Sequence, residues 1–267
     1  MSERFFDQID WSAPWFDTVR PAAQQLIAAS DWRLSLNQVA QDMHLQNHQA
    51  MPLQFIAQEE LPDGVAYEAH ISATGKVPTR ENLHDFFNAL VWLSFPLLKR
   101  QLNALQAAQI SALGIGKSRG SARDAATIFD ENAALLVVDK SATGDELITA
   151  LRQHQWESVF LHERASFERC AKVWSFGHAL MEKLVSPYKA ITAHTWVLRV
   201  DAQHLASSRE ECMRQIDQQV SQQLMSHTLT TADYTPLPIL GVPGWWQAQD
   251  ARFYGDQTVF RPPRVKK

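Results

Sequence analysis

Cysteine is nearly missing from this sequence. Cys170 and Cys212 stand 42 positions apart, and neither belongs to a CxxC pair. That excludes a disulfide framework and a cysteine-based zinc site, and it suits a reducing compartment. An excess of positive charge is also lacking: the net charge is -4 and the sequence pI about 6.2. A nucleic-acid binder that relies on an overall positive field is therefore disfavoured. No apolar run approaches the roughly 18 residues of a membrane helix, and "AALLVVD" is far too short. The start, "MSERFFDQIDWSAPWF", has no stretch that suits a secretory signal. The expectation is a soluble, cytoplasmic protein with no membrane partner.

Familiar catalytic signatures are missing as well. There is no Gly-x-Ser-x-Gly elbow, no dinucleotide fingerprint and no HExxH. "GIGKSRGSARD" ends like a phosphate-binding loop at Gly116-Lys117-Ser118, but the required first glycine is Ser111. No nucleotide cofactor is expected. What remains is a basic loop carrying Lys117, Arg119 and Arg123, able to hold a phosphate or carboxylate or simply to stay solvated.

What is present is ordinary globular composition, 45% hydrophobic and 20% charged, with nine tryptophans. Several of these should lie between elements or in a cleft, since Trp is seldom fully buried. Residues 1–50 predict helices, with Pro21 at a helix start and Asp31 as an N-cap. "LQFIAQ" and "VAYEAHISATG" alternate apolar with polar on either side of Pro62-Asp63-Gly64, which predicts a β-hairpin. "ATIFDENAALLVVDK" predicts strand, turn, strand. "SATGDELITALRQHQ" predicts a helix with Thr143 and Glu146 as a capping box. "CAKVWSF" predicts a strand leading into the helix "GHALMEKLVS", and "AHTWVLRV" another strand. "SSREECMRQIDQQVSQQL" predicts a long helix. The Pro/Gly/Trp-rich tail, 233–267, is expected to be irregular, wrapping the body or offering Trp245 and Trp246 to a protein partner. The fold class predicted is α+β: a single domain over 1–267, mainly helical, with short antiparallel strands.

The segment 78–106, "PTRENLHDFFNALVWLSFPLLKRQLNALQ", predicts a helical hairpin within 80–109. At 100° per residue, Glu81, His84, Asp85, Asn88 and Trp92 share one stripe, opposite Leu83, Phe86, Phe87, Leu90 and Leu93. Thr79 is the expected cap. Solvated faces favour long Lys, Glu and Gln, so this stripe suits a cleft wall or a buried polar network. Pro96 then starts a second helix whose Lys99 and Asn103 turn toward Asn88 and Trp92, unless Lys99 is a plain surface residue.

Further along, Asp130-Glu131 is either a hairpin turn or a pair of carboxylates for metal or acid–base work. His178 and Glu182, four apart on a helix, form with His194 a candidate set for a divalent metal. His178 also suits a plain bond to a backbone carbonyl. Together these residues suggest a polar cleft acting on a small anionic substrate by hydrolysis, with or without a metal. His84, Asp85, Glu81 and Asn88 would be catalytic, and Arg80, Arg123 and Lys99 would bind substrate. The alternative is a non-enzymatic protein whose polar residues form an internal hydrogen-bond network.

"GKVPTRENLHDFFNALVWLSFP", "LNALQ", "RDAATIFDEN", "FGHALMEKL" and "PLPILGVPGWW" together resemble a bacterial family defined as a domain of unknown function, number three thousand and twenty-five. The likeness runs from the first hairpin to the tail. It implies a soluble, single-domain bacterial protein and carries no activity, substrate or catalytic residue.

Overall fold

Pro21 opens helix α1 (Arg20–Ile27), and the Asp31 carboxylate accepts from Leu34 N to cap α2 (Trp32–Asp42). The computed structural model describes residues 4–113 and 121–263. The chain ahead of α1, together with α2, closes over the aromatic face of residues 83–94: Phe6 stacks on Phe86, Phe16 on Phe87, and Trp32 meets Phe86 edge to face.

The predicted first hairpin is not formed. Strand β1 (Gln54–Ala57) leads through helix α3 (Tyr67–Thr74) into β2 (Lys76–Thr79), which pairs parallel with β1. Alternation in "VAYEAHISATG" is the misleading signal: three consecutive positions, His70, Ile71 and Ser72, are all buried, which the period of two in a half-exposed strand does not give. Gly75 ends the helix at φ 71°, and a β-carbon there would meet Pro52 O at 2.4 Å. Only glycine allows that turn so close to a neighbouring backbone.

Helices α4 (Leu83–Ser94) and α5 (Pro96–Leu113) form the predicted helical pair. The cap of α4 is Asn82 rather than Thr79: Asn82 Oδ1 accepts from Asp85 N at 2.8 Å. Helix α6 (Ser121–Asn132) replaces the strand expected around Ile128 and Phe129. Ala125, Ala126, Phe129 and Asp130 are its buried positions, a spacing that a helix face satisfies and a strand does not. The basic positions Lys117 and Arg119 lie outside the described residues.

Strand β3 (Ala133–Asp139) follows, buried along its whole length. Next come α7 (Ala142–Arg152), α8 (Arg164–Cys170), β4 (Ala171–Ser175), α9 (His178–Lys183) and β5 (Thr192–Val200). The chain closes with α10 (Ala202–Leu205), α11 (Arg209–Ser226), β6 (Thr235–Pro238) and α12 (Ala251–Tyr254). Ser141, not Thr143, caps α7, its Oγ accepting from Gly144 N.

The sheet order is β4-β3-β5-β6. Its edge pairs are antiparallel, but β3 and β5 run parallel, with Ala133 opposite His194 and Asp139 opposite Val200. A central strand flanked by strands and covered on its faces needs no polar alternation, which explains the unbroken "AALLVVD". Helices and sheet share one continuous core, so the α+β single-domain reading holds. The tail packs back on the body, with Trp245 half-buried 6.2 Å from Trp15. Among the described residues no helix is long and apolar enough to cross a membrane.

Candidate functional site

Five helices present polar side chains to one cleft of about 310 Å³. Helix α4 contributes His84, Asp85 and Asn88, α3 contributes Tyr67 and Glu68, and α5 contributes Gln106. Thr127, Asp130 and Glu131 of α6 line it too, and the first residue of α9, His178, completes it. One glycine makes this convergence feasible. A β-carbon on Gly177 would lie 2.4 Å from Glu131 O and 2.5 Å from Asn132 N, so only glycine lets α9 start against the end of α6. His178 is thereby brought beside Asp130, 48 positions earlier.

The cleft centres on two histidines. His84 Nδ1 lies 2.9 Å from Glu182 Oε2, and His84 Nε2 lies 3.1 Å from His178 Nε2. The rings meet edge to face at 83°. His178 is buried, whereas the His84 side chain is 34% exposed. Burial lowers the His178 pKa to about 4, aided by Lys99 and His84 and opposed by Asp130. It is therefore a neutral imidazole at neutral pH. Its Nδ1 has Asp130 Oδ2 at 4.0 Å, within reach of the charge but beyond a hydrogen bond.

Beneath the histidines runs a paired network. Lys99, fully enclosed, donates to Asp130 Oδ1 at 2.6 Å and Asn88 Oδ1 at 2.8 Å, and its ammonium lies 5.3 Å from the Trp92 ring. Asn88 in turn donates to the Tyr67 hydroxyl at 3.0 Å. Burial opposes the charged form of Asp130, but Lys99 and His178 outweigh it and hold the carboxyl below its ordinary range. Glu68 goes the other way: burial raises it against the pull of Lys99, while Asn103 donates to its Oε2 at 2.7 Å. Burial, with the nearby acids Glu68, Asp85 and Asp130, keeps Tyr67 protonated.

The candidates from sequence fall into two groups. His84, Asp85, Asn88, His178 and Glu182 come together, although Glu182 sits behind His84 rather than on the cleft wall. Glu81 does not join them. Its side chain is 68% exposed, faces Arg33 at 3.6 Å and lies one turn before the cleft, outside the helix. Arg80 stands at the lip, but Asp85 takes its guanidinium in a fork of 2.9 and 3.0 Å. Lys99 is an internal cation and does not line the cleft. Arg123 lies half-exposed on the first turn of α6, close enough to lower Glu68 but off the cleft wall.

His194 belongs elsewhere. It stands on β5 opposite Pro236 and beside the Tyr234 ring, with its pKa lowered by burial and by Lys183. Among the described residues no three His, Cys, Asp or Glu side chains are placed to hold a metal ion together, so His178, Glu182 and His194 are not one ligand set. Tyr67, Glu68 and Thr127 are cleft residues that the sequence did not single out. The first two were hidden by the strand-like alternation of α3, and a Tyr-Glu pair opening a helix was the only signal available.

The model of a family described as a protein of unknown function matches residues 53–264, a range that includes every cleft residue. The chain belongs to that family, DUF3025. No curated protein and no solved structure matches it.

Proposed function

We propose that the cleft is the active site of an enzyme that hydrolyses a small polar substrate, with His84 and His178 as the centre at which water is activated. One observation carries this reading: two imidazole Nε2 atoms converge at a cavity wall while the far nitrogen of His84 rests on the Glu182 carboxylate. A carboxylate behind a histidine fixes its tautomer and ring orientation, and it stabilises any positive charge that the ring acquires. Neutral imidazoles activate water either by taking its proton or through a bound cation, and loss of His84 stops both routes. Tyr67, Gln106 and Thr127 supply neutral hydrogen-bonding groups to orient a substrate.

The charges argue against an anionic substrate. Arg80 is occupied by Asp85 and Lys99 by Asp130, while Glu68 and Glu131 add further acid to the wall. A neutral or cationic polar substrate fits that balance better. A panel of nitrophenyl esters, phosphoesters, small amides and aminoacyl amides tests the reading. Hydrolysis by the wild type is expected to fall by about 10²-fold or more in His84→Ala, the usual scale for an acid–base group. Equal rates in the two proteins across the panel would reject the proposal.

A second reading has its own support. Arg80 with Asp85, and Lys99 with Asp130, Asn88 and Tyr67, are so completely paired that part of the wall is a structural network. In that reading the same residues only hold the helices together, and His84 variants lose stability instead of activity.

A further inference from the structure

We infer that the cleft binds one divalent transition-metal ion through His84 Nε2 and His178 Nε2, with Glu182 orienting the His84 ring. This rests on the reading of the pair as the reacting centre and specifies what the pair holds.

The geometry of the pair leads there. Glu182 accepts at 2.9 Å from His84 Nδ1, which leaves His84 Nε2 facing His178. His178 Nδ1 has no hydrogen-bond partner, the Asp130 carboxylate standing 4.0 Å away. The two Nε2 atoms lie 3.1 Å apart, a distance at which one ring donates to the other without an ion and both ligate one when it is bound. With zinc–nitrogen bonds of about 2.0–2.1 Å, two ligands on a tetrahedral ion lie roughly 3.3 Å apart, close to the separation seen. The rings are nearly perpendicular with centroids 4.5 Å apart, so they do not stack on each other.

A carboxylate on the outer nitrogen, as Glu182 provides for His84, is the usual support of a metal-bound histidine. Imidazole ligands suit zinc, cobalt, nickel or copper better than magnesium or calcium. No third His, Cys, Asp or Glu joins the pair among the described residues, which leaves coordination positions open toward the cleft. Glu131 is an acid on the wall of that cleft.

The test uses the full chain, stripped with a chelator and titrated with Zn²⁺ by calorimetry and with Co²⁺ by visible absorption. The wild type is expected to bind one equivalent and to develop a nitrogen-ligand cobalt spectrum. His84→Ala, at a half-exposed position that tolerates truncation, should abolish both signals while circular dichroism stays unchanged. Glu182→Gln should weaken binding roughly 10–100-fold. Absence of binding in the wild type, or binding unchanged in His84→Ala, would overturn the inference. Hydrolysis that depends on His84 yet persists in chelated protein would overturn it too, while leaving the active-site reading intact. Metal bound at the pair with no hydrolysis would support the site and sink that reading instead.

Discussion

Two cations near the cleft have opposite duties, Lys99 inside α5 and Arg80 on the short connection ahead of α4. Lys99 is sealed in, donating to Asp130 and Asn88 beside the Trp92 face. Among the described residues no other Lys or Arg lies at bonding distance from Asp130. Lys99→Met should therefore cost about 3–5 kcal/mol in urea unfolding, the scale for leaving one buried charge unpaired. Adding Asp130→Asn to that variant should recover a large part of the loss, since no bare charge remains. If the double variant is as unstable as the sum of the singles, the pair is not coupled. Arg80 makes the contrast. Its side chain is 55% exposed, so its fork to Asp85 is screened by solvent, and Arg80→Ala should cost about 1 kcal/mol or less.

At the scale of elements, the site depends on how α9 meets α6. The amides of Phe176 and Gly177 both donate to Ala133 O, at 3.1 and 2.8 Å, which ties the end of β4 to the start of β3. Gly177 then lies against the last turn of α6. Gly177→Ala must push backbone against backbone, with an expected loss of about 1–3 kcal/mol, as for overpacking elsewhere. It should also displace His178 from His84 and lower cleft activity more than the stability loss explains. Normal activity at full stability would show that the close approach is not needed.

The same junction explains what sequence could and could not reveal. His84, Asp85 and Asn88 were legible because one amphipathic helix places them together by spacing alone. His178 and Glu182 were legible as a helical pair, but their convergence on His84, 94 and 98 positions away, comes from tertiary packing that spacing does not encode. Helices α3 and α6 were missed because short segments rich in Ala, Ile and Thr satisfy both periods. Their neighbours decided between them, through the parallel β1–β2 pairing and the buried Phe129. His194 was grouped with His178 only by chemistry, and β5 carries it past the cleft to Tyr234.

Across the whole molecule, helices distant in sequence are tied by buried acids. Asp217 on α11 accepts from the amides of Leu97 and Leu98 at 3.0 and 2.8 Å and so caps α5 from 120 positions away. Burial outweighs those bonds and the charge of Arg100, lifting its pKa from 3.8 to about 6. Arg209, Glu210 and Arg214 edge the same hollow. The folded chain thus holds this proton more tightly than the unfolded one, and Asp217 adds stability as pH falls from about 6 toward 4. Other groups set the full curve, but the difference between wild type and Asp217→Asn isolates this one. Urea midpoints from pH 4 to 7 should show the wild type gaining on the variant at the acid end. A constant difference across that range would mean that Asp217 titrates alike in both states.

The division of labour proposed for the cleft is that Lys99 and Asp130 hold the fold while His84 and His178 face the chemistry. The unfolding free energy of His84→Ala measures it most directly. His84 is partly exposed and its hydrogen bond with Glu182 is open to solvent, so the variant should lie within about 1 kcal/mol of the wild type. A loss of about 3 kcal/mol or more, comparable to that of Lys99→Met, would place His84 in the structural network and contradict the account.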